Sequence, residues 1–142
     1  MKTIAVLNGP NLDRLGKREP EIYGRQTLAD LQKLMEARAK HLDVELSFFQ
    51  SNHEGTLVDI ISDLAERKIG GIIINAAALT HTSIALRDAI AGAHIPTVEV
   101  HISNVYQREA FRGHSYLSAV CKAVVCGMGF QGYVAALEFL AQ

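Results

Sequence analysis

Ile72-Ile73-Ile74-Asn75-Ala76-Ala77-Ala78-Leu79-Thr80-His81-Thr82-Ser83 is the stretch on which the fold turns. Three β-branched residues in succession read as a strand buried on both faces, as in parallel sheets covered by helices. The run turns polar at Asn75 and loosens through small residues. Thr82 or Ser83 then offers an N-cap for a helix from Ile84 to Ala93. A buried strand thus ends in a polar loop that feeds a helix. In open parallel sheets, ligands lie at the carboxyl ends of strands, close to helix N-termini. Asn75, His81 and Ser83 stand where that rule puts a site. A plain strand–loop–helix joint with capping polar groups is the alternative that this stretch leaves open.

Upstream, Thr3 to Leu7 reads as a first strand that closes in the amide-rich turn Asn8-Gly9-Pro10-Asn11. The polar segment from Leu12 to Gly24 carries glycines at both ends and a central Pro20, the composition of a lid loop. Thr27-Leu28-Ala29-Asp30 spells a capping box with Asp in place of Glu. Leu28, Leu31, Leu34 and Met35 carry the helix that follows to about His41. Glu45 to Gln50 reads as the second strand. Leu57, Ile60, Ile61 and Leu64 make the next helix amphipathic until Lys68.

Downstream, Thr97 to Asn104 contains a fourth strand, and Val105 to Leu117 reads as irregular with a helical turn. Ala123 to Cys126 is the fifth strand, and Tyr133 to Leu140 the last helix. Strand and helix alternating in this way predict an α/β fold. It is a three-layer sandwich in which a five-stranded parallel sheet carries helices on both faces, and the flavodoxin-like strand order fits that number. No repeat, linker or low-complexity tract interrupts the pattern, so residues 1–142 are expected to form a single domain.

The composition narrows the function. Apolar residues make up 49%, charged residues 20%, and the formal net charge is −1, the balance of an ordinary soluble protein. No basic stripe argues for nucleic acid, and no apolar run reaches membrane-spanning length. Met1 to Leu7 reads as a strand rather than a signal peptide. Cys121 and Cys126 are the only cysteines, so free thiols and a cytoplasmic location are expected. Their spacing, without further ligands nearby, gives no zinc site.

Three groups of residues carry chemistry. Glu99 and His101 alternate along one strand and so face the same side, where a carboxylate fixes the imidazole tautomer and favours its protonated form. His101 is therefore a candidate general acid, with a hydrogen-bonded histidine at a strand end as the plainer reading. Asn8, Gln50 and Asn75 also end strands and could converge with His101 on one crevice. Tyr23 lies in the supposed lid with Arg18 close by, and guanidinium groups stabilise a phenolate. Arg108 and Arg112, four apart, would share a helical face and suit a hydroxylated acid. Gly127-x-Gly129-x-x-Gly132 spells a dinucleotide fingerprint but follows the last strand instead of the first, so it reads as a tight strand-to-helix turn.

Several segments together resemble the type II 3-dehydroquinate dehydratases. They are Leu7-Asn8-Gly9-Pro10-Asn11-Leu12, Arg18-Glu19-Pro20-Glu21-Ile22-Tyr23-Gly24, Gln50-Ser51-Asn52-His53-Glu54-Gly55, Thr80 to Ala89 and Val98-Glu99-Val100-His101-Ile102-Ser103-Asn104. Arg112-Gly113-His114-Ser115-Tyr116 and Gly127 to Tyr133 match as well. The resemblance spans nearly the whole chain. It implies dehydration of 3-dehydroquinate to 3-dehydroshikimate without metal, organic cofactor or Schiff base.

By that resemblance Tyr23 is the base at C2, supported by Arg18 and by Arg108. Asn11 holds a water against the enolate, and His101, paired with Glu99, protonates the departing hydroxyl. Asn75 and the N–H groups of Ile102 and Ser103 hold the substrate carboxylate, while His81 and Arg112 address ring hydroxyls. Asp88 is expected from a neighbouring subunit of a dodecamer built as four trimers. Asp13-Arg14, Ala76-Ala77, Tyr106-Gln107 and Ala119 depart from the usual Asn-Leu, Pro-Gly, His-Ala and Pro. Two other readings stand beside this one: a flavodoxin-like protein holding a nucleotide or flavin, and an inactive scaffold paralogue.

Overall fold

The structure, a computed structural model, describes residues 1–17, 19, 21 and 24–142. Its centre is a parallel sheet of β1 (Lys2–Asn8), β2 (Val44–Gln50), β3 (Gly71–Asn75), β4 (Thr97–His101) and β5 (Ala123–Cys126). The order is β2-β1-β3-β4-β5, and every neighbouring pair is parallel. This is the flavodoxin-like arrangement. The chain leaves β1 for β2 on one side and returns to place β3 on the other, so the winding of the chain reverses between β1 and β3. That is the switch point, where the crevice of such sheets opens.

Helices cover both faces because strand side chains alternate. Ile4, Val6, Ile73, Val98 and Val100 point one way and pack with α1 (Leu28–Leu42) and α4 (Phe130–Ala141). Ala5, Leu7, Ile72 and Ile74 point the other way and pack with α2 (Glu54–Glu66) and α3 (Ile84–Ala93). Ile72, Ile73 and Ile74 are fully buried, as three β-branched residues in a central strand should be. Each such side chain contributes roughly 1.5–3 kcal/mol relative to exposure. Register then fixes where the polar residues fall. Ile72 pairs with Thr97 and Ile74 with Glu99, so Glu99 and His101 share the α2–α3 face.

Helix starts follow the predicted chemistry. Thr27 closes a capping box with Asp30: its hydroxyl accepts the Asp30 N–H while the Asp30 carboxylate accepts the Thr27 N–H. Those bonds hold the Asp30 carboxyl below its usual range. Ser83, not Thr82, caps α3 by accepting the Leu86 N–H at 2.9 Å.

Two expectations shift. The last helix begins at Phe130 rather than Tyr133, because of the three glycines in this turn Gly127 and Gly129 take positive φ, at 88° and 60°, and Gly132 does not. Gly132 lies inside the helix, where a Cβ would come within 3.1 Å of Val125, so its missing side chain lets α4 close onto the sheet. Between Val105 and Leu117 the chain forms two short helical turns, Val105–Gln107 and Ala110–Gly113, where one was expected, and a third, Ser118–Val120, follows before β5. Among the described residues, no helix is long and apolar enough to cross a membrane.

Candidate active site

Beyond the carboxyl ends of β1, β3 and β4 lies a cavity enclosing about 680 Å³, part of it open to solvent. Asn11, Asn75, His81, His101, Ile102, Ser103, Arg108 and Arg112 all line it. Eight of the twelve expected site residues are therefore brought together by one strand-end geometry. Glu99 sits directly behind His101. Arg18 and Tyr23 lie outside the described residues. Asp88 is exposed on α3 and does not line this cavity.

The β1 end approaches the β3 end closely enough to fix the crevice floor. Gly9 N–H donates to the Asn75 carbonyl at 2.8 Å. A Cβ on Gly9 would lie 2.6 Å from the Ala76 carbonyl oxygen, so only glycine fits. Asn11 follows in the left-handed region at φ 71°, which Asn tolerates, and its N–H donates to Asn52 Oδ1 at 2.9 Å. Gln50, read as a possible site group, turns instead to brace this turn. Its amide donates to the Gly9 carbonyl and to Asn52. The reason is topological: β2 lies across β1 from the switch point. Asn8 is likewise buried beneath the crevice and does not line it.

Among the described residues, Glu99 is the most enclosed charge. Its side chain is 0% exposed, and Nε2 of His101 lies 2.5 Å from its Oε2. Ser118 Oγ donates to Oε1 at 2.5 Å, Ser115 Oγ reaches both oxygens at 2.9 and 3.1 Å, and Thr80 Oγ1 donates to Oε2 at 3.2 Å. Burial works to raise the Glu99 pKa. The hydrogen bonds from His101, Ser118 and Ser115 outweigh it, so the carboxyl is held below its ordinary value. Ser115 shows which way the protons run. Its Oγ accepts the N–H groups of Leu117 and Ser118, so its single proton is directed to Glu99. Glu99 is thus an ionised acceptor, the shared proton belongs to Nε2 of His101, and Nδ1 is the ring nitrogen left for the cavity.

None of the three hydroxyls was singled out from sequence. They stand 16 to 19 residues from Glu99, and only register and a loop crossing join them.

The remaining groups present donors. The His101 and Ile102 carbonyls are taken by Gly127 and Gly129 N–H groups, at 3.1 and 3.0 Å. A trans peptide points its N–H opposite its carbonyl, which turns the Ile102 and Ser103 N–H groups away from that glycine turn. His81 Nδ1 lies 2.7 Å from the His114 carbonyl, so Nδ1 carries a proton and donates it there. Arg108 and Arg112 do not share a helical face, as their spacing had suggested, because Arg108 is extended at φ −110° between two turns. Both reach the cavity nonetheless. Arg108 donates to Ser103 Oγ at 3.4 Å, and Arg112 makes two bonds to Glu109, whose carboxyl its guanidinium holds down at about 2.

A carboxylate–histidine pair at one wall, backbone donors beside it and two arginines in the lining suit an anionic, hydroxylated ligand. Comparison with known proteins points the same way. The family model for "Dehydroquinase class II" matches residues 2–141. The chain belongs to the class II dehydroquinase family. It is 57% identical over 141 residues to a "Catabolic 3-dehydroquinase" of Pyricularia oryzae, covering 99% of this chain and 90% of that one. A "3-dehydroquinate dehydratase" of an Acidovorax species is 54% identical, covering 99% and 98%. Among solved structures, a type II dehydroquinase from Butyrivibrio crossotus superposes with a TM-score of 0.97 at 42% identity, covering 99% and 98% of the two chains. Family membership makes the protein a hydro-lyase and removes the reading as a flavin or nucleotide carrier.

Proposed function

We propose that the protein eliminates water from 3-dehydroquinate to give 3-dehydroshikimate, with the whole chain acting as one catalytic unit. Tyr23, as phenolate, takes the C2 proton next to the ketone, and Arg18 and Arg108 supply the positive charge that favours the phenolate. The electron pair left behind becomes an enolate, stabilised through a water held by Asn11. Collapse of the enolate expels the C1 hydroxyl. His101 protonates that oxygen from Nδ1, so it leaves as water and not hydroxide. Asn75 and the Ile102 and Ser103 N–H groups bind the substrate carboxylate, while His81 and Arg112 meet the ring hydroxyls. Asp88 of a neighbouring subunit completes the site in a dodecamer of four trimers. A cytoplasmic setting suits both shikimate biosynthesis and quinate breakdown.

The observation that carries this reading is the His101–Glu99 pair, buried and hydroxyl-bound, at the wall of the strand-end cavity. Purified protein given 3-dehydroquinate should produce the ultraviolet absorbance of a conjugated enone. A silent mixture would favour the inactive scaffold. Tyr23→Phe should nearly abolish turnover while substrate still binds, and Arg18→Ala should lose most of kcat. The double variant should fall little further than Arg18→Ala alone, since the two act as a unit. Multiplicative losses would separate Arg18 from Tyr23.

A further inference from the structure

Asn75 ends β3 with a polar side chain that is 3% exposed yet lines the cavity. An amide in that position can present either its oxygen or its nitrogen, and only the nitrogen attracts an anion. Beneath it lies a buried chain of hydrogen bonds. Asn75 Nδ2 donates to the Tyr133 hydroxyl at 2.9 Å, and that hydroxyl donates to Asn8 Oδ1 at 2.6 Å. On the other side, Asn75 Oδ1 accepts the Ala77 N–H at 3.1 Å.

We infer that Tyr133, set by Asn8, is a positioning residue that fixes the polarity of the Asn75 amide so that an N–H faces the ligand.

The argument counts protons. A phenol has one proton to give, and Tyr133 gives it to Asn8. Its lone pairs can then only accept, so the side of Asn75 facing it must be the NH₂ group. Tyr133 is fully buried, and burial raises its pKa, so it stays a phenol across the working range. With Oδ1 held by Ala77 and one Nδ2 hydrogen held by Tyr133, the second Nδ2 hydrogen remains for an acceptor in the cavity. The chain joins the ends of β1 and β3 to α4 without touching the ligand space: neither Asn8 nor Tyr133 lines it. In sequence, Tyr133 reads as one more aromatic in an apolar helix. Only the need of a buried hydroxyl for partners marks it out.

This inference rests on the proposed role of Asn75 toward the substrate carboxylate, and the test separates the two. KM and kcat are measured for Asn75→Ala, Tyr133→Phe, Asn8→Ala and the Asn8→Ala/Tyr133→Phe double variant, with thermal unfolding as the check on folding. Tyr133→Phe keeps the ring and removes only the oxygen. Asn8→Ala frees the phenol proton to turn on Asn75 and compete with the Ala77 N–H for the orientation of its amide, and it serves should Tyr133→Phe not fold. Each single variant should raise KM by about tenfold, the order expected for one misplaced hydrogen bond, with kcat changed by no more than about twofold. The double variant should be no worse than the poorer single. A raised KM in Asn75→Ala with unchanged KM in the other two would overturn the inference and leave the role of Asn75 standing. Unchanged KM in Asn75→Ala would overturn both. A fall in kcat alone, or additive losses in the double variant, would mark Tyr133 as a packing residue and defeat the proposal.

Discussion

His101 stands against a carboxylate that keeps three hydroxyl donors whether or not the imidazole is present. His101→Ala therefore removes the proposed proton donor without leaving Glu99 unpartnered. Departure as hydroxide is slow, so kcat should fall by about 10²–10⁴-fold, measured by enone absorbance. Glu99 also ties stability to pH. Its folded pKa is depressed, so the stabilisation it gives is complete above the unfolded carboxylate value of about 4.3 and is lost as pH falls through the folded value. Urea unfolding at about pH 5 and again at about pH 3 should show the wild type losing more stability than Glu99→Gln. Asp30 and Glu109, also depressed, are common to both proteins and cancel in the difference. Cys121, the nearby thiol, is pushed up to about 12 by burial and by the Glu99 charge. It should resist alkylation in the folded protein.

The elements were more legible than the contacts between them. The β-branched run at Ile72, the capping box at Thr27 and the amphipathic leucines of α1 and α2 announce structure through local chemistry, and these elements form where expected. Glu99 and His101 were legible too, because a strand alternates by rule. What the sequence withheld depends on register and crossings: the hydroxyls around Glu99, the diversion of Gln50 and the break between Arg108 and Arg112. The β3–α3 connection holds one local conflict. Ala77 sits at φ 54°, a left-handed position that favours glycine, where the family commonly has one. Ala77→Gly should stabilise the protein by on the order of 0.5–1 kcal/mol, raising Tm by a few degrees. The opposite change one turn away should do harm. Gly9→Ala drives a methyl into the Ala76 carbonyl, and should lower both Tm and kcat/KM by parting the ends of β1 and β3.

At the scale of the whole molecule, the sheet supplies the proposed acid and binding donors, while the proposed base comes from the β1–α1 connection and, in the proposed assembly, one carboxylate from another copy. If Asp88 serves a neighbour, a His101→Ala chain and an Asp88→Ala chain are defective in different halves of a shared site. Refolded together, they should regain part of the turnover each lacks alone, because some interfaces then join an intact cavity to an intact Asp88. Light scattering should show trimers as the smallest active species. A fully active monomer, or mixed refolding with no gain, would restrict the site to one chain.

The Glu99–His101 contact also has a spectroscopic consequence. The proton on Nε2 lies in a 2.5 Å gap between side chains that are 8% and 0% exposed, and Ser115 and Ser118 crowd the same carboxylate. A proton in a short charge-assisted bond is strongly deshielded, and one sealed from water exchanges slowly. It should therefore give a resolved proton resonance well downfield of the backbone amides. That line should vanish in Glu99→Gln and move when a ligand engages the other nitrogen of the ring. The acid half of the reaction would then be visible in a resting protein, before any substrate is added.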